Sequence, residues 1–257
     1  MFSRFSALTE KLTKAIALCV SRLPTAQLQP LLVQTARYHS RSLAADAGLR
    51  FLFEIDAALY PVQGELSIAY GDGTHTKHRH TGYHNFFIDR VSPQDRVLDL
   101  GCGYGALAYD VAKSTGATVV GLDLNARSIE QAQQRYSHPQ VTYRVGDVLK
   151  DMPARRAGAV FDVVILSNVL EHLPQRPQFL RQVQQIIQPQ RFLIRVPLFE
   201  RDWRVPLKRE LGVEWRLDAT HETEYRVEEF EAEIREAGLV VVHQEIHWSE
   251  IWAEVRA

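Results

Sequence analysis

Short apolar runs recur at a regular interval in the second part of the chain. They cover Val97–Leu100, Thr118–Leu122, Val141–Val145, Phe161–Leu166 and Phe192–Val196. Most of the stretches between these runs carry apolar residues at helical spacing, as expected for crossover helices. Strands that alternate with helices are typical of βαβ units and a parallel sheet. The pattern therefore predicts an α/β fold with a doubly wound sheet.

Two later segments complete this prediction. The runs Leu239–Ile246 and Glu250–Val255 flank the turn His247-Trp248-Ser249 and predict an antiparallel pair at one edge of a mixed sheet. Between the fifth strand and the last helix lies a long segment, Pro197–Glu224. Long connections at strand carboxyl ends usually carry function, so this segment is a candidate for the substrate side of a site.

The first 80 residues are mostly helical in pattern and contain no long Gly/Ser linker. We expect a helical N-terminal extension over residues 1–80 and a second domain over residues 81–257. The first helix is predicted over Phe5–Arg22, with one apolar stripe formed by Leu8, Leu12, Ile16 and Cys19. A helix packed on its own protein or on a partner subunit is the ordinary interpretation. A peripheral membrane contact stays an alternative, because basic residues outnumber acidic ones in this helix.

Composition narrows the function classes. The 257 residues include 31 acidic and 30 basic ones, for a formal net charge of −1, which gives no global reason to bind nucleic acid. Cys19 and Cys102 are the only cysteines, so a disulfide scaffold and a four-cysteine zinc site are excluded. The longest apolar run near the start, Ala15–Val20, is too short to span a membrane, and no signal-peptide cleavage site follows it. We expect a cytoplasmic protein.

The first residues that indicate a ligand site lie where the first predicted strand enters a turn with Gly101, Gly103 and Gly105. Glycines allow a tight turn and a close approach of ligand to backbone, and the helix that follows presents free N–H groups. The loop also fits the dinucleotide pattern, so a nicotinamide dehydrogenase is an alternative. Asp99 argues against it, because a carboxylate at the strand end repels a pyrophosphate and attracts an ammonium group. S-adenosylmethionine carries positive charge and no phosphate.

Polar residues also follow the next three strands. Asp123 ends the second strand and can accept both hydroxyls of a ribose. Asp147 follows the third strand and can accept from an adenine amino group, while Val148 offers a backbone N–H. Asn168 follows the fourth strand. Four polar strand ends on one rim, behind a glycine loop, predict one ligand site.

These motifs resemble those of the class I S-adenosylmethionine-dependent methyltransferases. The resemblance lies in VLDLGCGYGALA (97–108), VVGLDLN (119–125), VGDV (145–148) and FDVVILSNVLEHL (161–173) and covers roughly residues 90 to 257. It implies a Rossmann-like mixed sheet of seven strands whose last hairpin is antiparallel, and S-adenosyl-L-methionine as the cofactor. The predicted cofactor-binding residues are Arg79, Tyr83, Asp99, Gly101, Cys102, Gly103, Asp123, Leu124, Asp147, Val148 and Asn168.

A histidine-rich segment, Gly73–His84, precedes the first strand of the sheet. In this fold such a segment can cross over the cofactor, so Arg79 is predicted to pair with the cofactor carboxylate and Tyr83 to line the pocket. Four histidines within ten residues raise the question of a metal. Their spacing does not gather them on one helix face, so solvated or cofactor-facing histidines are predicted instead.

The candidate catalytic residues are His221, Tyr225 and His172. His221 and Tyr225 would share a face if the last helix began there, and histidine is the best general base near neutral pH. Capping or packing of the helix start is the alternative role for His221. His172 follows the fourth strand in Glu171-His172 and can deprotonate a hydroxyl. Asn168 replaces the first ligand of the E-x-x-E-H metal motif of some quinone-type methyltransferases, so no metal is predicted, and a metal is kept as a minor alternative.

The sequence thus predicts a methyltransferase that acts on a small or medium-sized acceptor, most simply at oxygen. An N- or C-methyltransferase of the same fold is one alternative. A non-catalytic regulatory or assembly protein that binds S-adenosylmethionine is another. The expected partner is a small-molecule acceptor, no nucleic acid is expected, and the oligomeric state is left open.

Overall fold

The computed structural model describes residues 2–152 and 160–257, and only the backbone of residues 2–9. The chain forms two compact units. One comprises Met1–Val62 and Glu210–Val213, and the other comprises Gln63–Arg209 and Glu214–Ala257. The predicted division at residue 80 stays a prediction, and residues 63–80 belong to the unit that contains the sheet.

The N-terminal part is helical, as predicted. Helix α1 covers Phe2–Val20, α2 covers Thr25–Arg41 and α3 covers Ala45–Tyr70. Within the described residues, none of the helices combines the length and the apolar character needed to cross a membrane.

The second unit contains a mixed sheet of seven strands in the order β3-β2-β1-β4-β5-β7-β6. The strands are β1 (Arg96–Leu100), β2 (Thr118–Asp123), β3 (Val141–Val145), β4 (Val163–Ser167), β5 (Arg191–Pro197), β6 (Val240–His247) and β7 (Glu250–Arg256). The first five are parallel, and β7 runs antiparallel to both β5 and β6. The predicted fold class is confirmed, including the antiparallel final hairpin.

Helices cover both faces of this sheet. They are α4 (Lys77–Thr81), α5 (Tyr83–Ile88), α6 (Ala106–Thr115), α7 (Ala126–Arg135), α8 (Arg176–Ile186), α9 (Arg204–Glu210) and α10 (Val227–Glu236), with single 3₁₀ turns at Leu170–His172 and Phe199–Arg201. Helix α7 begins behind Asn125, whose side chain accepts hydrogen bonds from the N–H groups of Arg127 and Ser128. Asn125 is therefore the N-cap of α7.

The central strands are apolar on both faces because helices cover them from both sides. In β1, Leu98 and Leu100 contribute to one core cluster and Val97 contributes to the other. The parallel register pairs Leu98 with Val120 and with Val164, so the carboxyl ends of these strands lie along one edge. The polar residues that follow the strands therefore gather at that edge.

Candidate functional site

A cavity of about 510 Å³ lies at the carboxyl ends of the central strands. Five predicted cofactor residues line it, namely Tyr83, Asp99, Gly101, Cys102 and Gly103. The same cavity is also lined by Ser167 at the end of β4, by Arg195 in β5, and by Lys77 and His78 in α4. The cavity thus combines the glycine loop with both acidic and basic side chains.

Asp99 is the acidic group of this cavity. It is 1% exposed, and its Oδ2 has no hydrogen-bond partner among the described residues. Burial, and then the negative charge of Asp123, raise the pKa of the Asp99 carboxyl to about 7. A buried carboxylate without a partner is costly, so this site favours a ligand that brings positive charge.

The glycine loop needs its glycines for two different reasons. Gly101 and Gly103 have φ angles of +74° and +53°, in the left-handed region. A Cβ on Gly101 would lie 2.5 Å from Cγ2 of Val169, whereas a Cβ on Gly103 would meet nothing within 4 Å. Gly101 therefore allows close packing, and Gly103 leaves the cavity open. Helix α6 starts at Ala106, so its first N–H groups lie next to the cavity.

Asp123 connects the loop to the end of β2. Its Oδ2 accepts a hydrogen bond of 2.8 Å from the N–H of Gly103, and its Oδ1 accepts one of 2.8 Å from the N–H of Asn125. A carboxylate has about four lone-pair positions, so both oxygens can still accept from a ligand. The adjacent Leu124 is exposed.

The two remaining strand ends are held by local contacts. Asp147 accepts from the N–H of Leu149 and pairs with Lys150 at 2.8 Å, and these contacts lower the pKa of Asp147. Val148, beside it, is half-buried. Asn168 has a φ of +56° and accepts a hydrogen bond of 3.2 Å from Nε of Arg195. Like Asp123 and Leu124, these residues are not among those that line the 510 Å³ cavity.

Arg195 is a cavity residue that the sequence analysis did not single out. It is 5% exposed, its guanidinium carbon lies 3.7 Å from the centre of the Tyr83 ring, and its Nε lies 3.0 Å from Glu250. Its Nη1 has no partner among the described residues. The signal was present in the sequence, because Arg195 is the one charged residue in an otherwise apolar strand run.

The structure places Arg79 outside the residues that line the cavity, and its predicted cofactor contact stays a prediction. Arg79 is exposed and its guanidinium lies over the ring of Tyr70, 5.5 Å from the ring centre, whereas Lys77 and Arg195 line the cavity. His78, which was predicted to be solvated or cofactor-facing, lies in the cavity lining with Nδ1 3.1 Å from the Tyr83 hydroxyl. Burial, and then nearby positive charges, lower the pKa of His78 to about 4, so it is neutral at neutral pH.

A second polar cluster follows β4. Glu171, His172 and His221 each place one donor atom within 4.8 Å of those of the other two. The side chain of Glu171 is fully buried, and neither carboxylate oxygen has a hydrogen-bond partner among the described residues. Burial raises the pKa of Glu171 to about 8. The sequence predicted His172 and His221 separately, and the structure brings them together.

Both imidazoles of this cluster are oriented through Nδ1. Nδ1 of His172 lies 3.0 Å from Oγ1 of Thr220, and Nδ1 of His221 lies 3.0 Å from Oε1 of the buried Glu224. Each ring therefore keeps Nε2 for another partner. Burial, and then His221, lower the pKa of His172. The absence of a metal stays a prediction, and Glu171, His172 and His221 are the residues that can hold one.

The structure corrects the prediction made for Tyr225. Helix α10 begins at Val227, so His221 and Tyr225 do not share a helix face. Tyr225 is 1% exposed, and its hydroxyl donates a hydrogen bond of 2.8 Å to Glu233, which also pairs with Arg176. The phenol is thus a core group whose hydroxyl hydrogen is engaged with Glu233.

Comparison with known proteins identifies the family. Residues 97–190 match the family model of a methyltransferase domain. The ubiquinone biosynthesis O-methyltransferase of Rhodopseudomonas palustris (strain BisB5) is 31% identical over 157 residues, which cover 58% of this chain and 60% of the relative. These findings support the class I S-adenosylmethionine-dependent methyltransferases as the family of this chain. The predicted family is thereby confirmed, and the predicted cofactor is that of this family.

Other comparisons agree with this methyltransferase family. The ubiquinone biosynthesis O-methyltransferase of Paracidovorax citrulli (strain AAC00-1) is 35% identical over 108 residues, which cover 40% of this chain and 44% of the relative. The methyltransferase chain thus spans about three fifths or less of the curated relatives described here.

Two solved structures share the methyltransferase fold. Magnesium protoporphyrin IX methyltransferase of Synechocystis PCC 6803, solved with bound SAH, has a TM-score of 0.54 at 17% identity, covering 69% of this chain and 83% of that one. A small RNA methyltransferase has a TM-score of 0.56 at 19% identity, covering 70% of this chain and 25% of that one. At these identities the likeness concerns the fold alone.

Proposed function

We propose that this protein transfers the methyl group of S-adenosylmethionine to an oxygen atom of a small or medium-sized acceptor. The observation that supports S-adenosylmethionine as the cofactor is the buried Oδ2 of Asp99, which has no hydrogen-bond partner among the described residues and lies beside an open glycine loop. The ammonium group of S-adenosylmethionine would supply a positively charged partner for this carboxylate. When bound, S-adenosylmethionine supplies an activated methyl group on a positively charged sulfur.

The residues of the cavity would bind and orient the cofactor. Asp99 would receive the ammonium group, and Arg195, with its free Nη1, would face the carboxylate at the same end. Asp123 would accept from the ribose hydroxyls while it holds the N–H of Gly103. Asp147 and Val148 stay the proposed adenine contacts. Because the leaving group is already activated, the main tasks of the protein are alignment and exclusion of water.

The proposed acceptor atom is oxygen. The curated relatives described here are named O-methyltransferases. The cluster after β4 would supply the general base that a poorly ionised hydroxyl needs. His172 is half-buried with a lowered pKa, so its neutral ring can take a proton at Nε2. His221 is held by Glu224, as a positioned base requires. One of these imidazoles would hold the proton of the acceptor hydroxyl. The bound cofactor would supply the methyl group, and its sulfur would keep the electron pair of the broken S–C bond and leave as S-adenosylhomocysteine.

The same cluster supports a second candidate role, the binding of a divalent cation. The specific observation is that both oxygens of Glu171 are buried and without a partner among the described residues. One carboxylate and two imidazoles are donors that zinc and related metals accept. Equilibrium dialysis against Zn²⁺, with His172→Ala and His221→Ala as comparisons, would separate this role from a metal-free base.

The proposed reaction is tested with a cofactor whose methyl group carries deuterium. The full chain is incubated with this cofactor and a cell extract, and small molecules are examined by mass spectrometry. A labelled methyl ether or ester, together with S-adenosylhomocysteine, supports the proposal. A label on nitrogen or carbon contradicts the oxygen assignment. Tight cofactor binding without any labelled product favours a regulatory or assembly protein.

A further inference from the structure

The helices of the first unit leave almost all of their side chains at the surface. Among the described side chains of residues 10–62, only Gly48 and Phe53 are buried. Helix α2 contains no buried residue. Large apolar side chains are among the exposed ones, including Leu12, Ile16, Leu18, Leu31, Leu32 and Val33. Isolated helices are marginal in water, so such a surface indicates an apolar environment that covers it.

The exposed apolar residues follow a helical period. In α1, Leu12, Ile16 and Cys19 are spaced by four and three residues and form one stripe, with Leu12 60% and Ile16 55% exposed. In α2, Leu28, Leu31 and Leu32 form a similar stripe. We refer to these two stripes as the N-terminal apolar face.

Positive charge accompanies this face. Residues 1–44 contain six basic residues and one acidic residue, in a chain whose formal net charge is −1. The acidic residue, Glu10, pairs with Lys14 at 2.7 Å. The remaining basic residues of this stretch are Arg4, Lys11, Arg22, Arg37 and Arg41. Apolar stripes within a strongly basic segment are the signature of a helix that lies in a membrane interface.

We infer that the N-terminal apolar face binds the surface of a membrane that contains anionic phospholipids. The leucine and isoleucine side chains enter the boundary between headgroups and acyl chains, and Lys11 and Arg22 reach the phosphates of the headgroups. The charge argues against a second copy of this chain as the occupant. A two-fold contact through the same face would bring two basic surfaces together, and like charges repel.

The inference is tested by sedimentation of the full chain with lipid vesicles. One set contains phosphatidylcholine and phosphatidylglycerol, and the other contains phosphatidylcholine alone. We expect binding to the anionic vesicles that weakens with added salt. Replacing Lys11 and Arg22 together by Gln should weaken it on the order of twentyfold, since each basic residue near an anionic surface contributes a factor of about five.

A second pair of variants tests the apolar contribution. Leu12→Gln with Ile16→Gln should weaken binding by a factor on the order of ten or more, because two apolar side chains no longer enter the lipid. Both residues are exposed, so the fold should persist, and unchanged S-adenosylmethionine binding checks this. The matched control is Val240→Gln with Val242→Gln, two exposed residues outside the face, which should bind vesicles like the parent.

Three results would overturn the inference. The first is failure of the parent chain to bind anionic vesicles. The second is binding that neither N-terminal pair of substitutions weakens, or that the control pair weakens equally. The third is a dimer in sedimentation equilibrium that Leu12→Gln with Ile16→Gln dissociates while vesicle binding is absent, since a second copy would then cover the face.

Discussion

The imidazole rings of His172 and His221 meet edge to face, with their centres 4.6 Å apart and their planes at 81°. One ring follows β4 and the other lies in the long segment after β5. The two histidines are distant in the sequence, and each ring is oriented by a different partner. This pair is the part of the candidate site where an acceptor proton can be received.

Replacement of His221 by Ala should therefore lower turnover by roughly 10²–10⁴-fold, the usual contribution of a positioned general base. Cofactor affinity should stay unchanged, because the proposed cofactor contacts do not include His221. Steady-state rates and titration with S-adenosylmethionine measure the two effects. His243→Ala, at an exposed position on β6, is the control and should leave both quantities as they are. An unchanged rate for His221→Ala removes it from the catalytic residues.

The pH dependence of turnover should reflect the lowered pKa of His172. A base acts in its deprotonated form, so turnover should fall as the pH decreases through this pKa, below the ordinary value of 6.5. Activity should thus persist at a pH where an exposed histidine is largely protonated. The measurement is kcat against pH in the wild type and in Thr220→Val, which loses the hydroxyl next to Nδ1. A fall of kcat with its midpoint above pH 6.5 would contradict this account.

Cofactor affinity should also depend on pH, through Asp99. The folded-state pKa of the Asp99 carboxyl, about 7, lies above its ordinary value of 3.8, so below pH 7 the free protein holds a proton there. Binding of an ammonium group favours the ionised form and releases that proton. As the pH rises to 7, the affinity for S-adenosylmethionine should increase by up to about tenfold per pH unit, and above pH 7 it should level off. Titration calorimetry in two buffers of different ionisation enthalpy measures the number of protons released on cofactor binding. Asp99→Asn should release no proton.

Alanine substitutions at Gly101 and Gly103 should have different effects. Both have positive φ, so each substitution costs stability, of order 1 kcal/mol from the backbone alone. Gly103→Ala has room for its Cβ on the cavity side and should mainly weaken cofactor binding. Gly101→Ala places its Cβ against Val169 and should lower the free energy of unfolding further. Urea unfolding and cofactor titration separate the two, and equal effects on stability would contradict the assignment.

The buried pair of Arg195 and Glu250 should be sensitive to the loss of one partner. Arg195→Met removes the cationic partner of Glu250 in a mostly buried site and leaves this carboxylate the indole N–H of Trp252 as a donor. Loss of one charged partner costs about 3–5 kcal/mol in comparable pairs. Adding Glu250→Gln should recover part of this free energy of unfolding. Urea unfolding of the single and double variants gives the coupling. No recovery in the double variant would show that the contact with Tyr83, rather than the pair, is what matters.

The sequence was most informative where structure is local. The apolar runs predicted the strands, and the glycine loop predicted the cavity that Asp99 lines. Contacts between distant segments had no such signal, as with His172 and His221. Arg195 stands out as a lone charge in an apolar run, but its partner Glu250 lies two strands later in the chain and carries no local signal. The shared helix face considered for His221 and Tyr225 does not form, because α10 begins only at Val227.

The central claim is that the ammonium group of S-adenosylmethionine lies against Asp99, with the nucleoside along the ends of β2 and β3. A crystal structure of the full chain with S-adenosylhomocysteine tests this directly. The account predicts the ligand nitrogen within hydrogen-bond distance of the Asp99 carboxylate and the ribose hydroxyls at Asp123. A ligand in another cavity, or one whose amino group points away from Asp99, would contradict it.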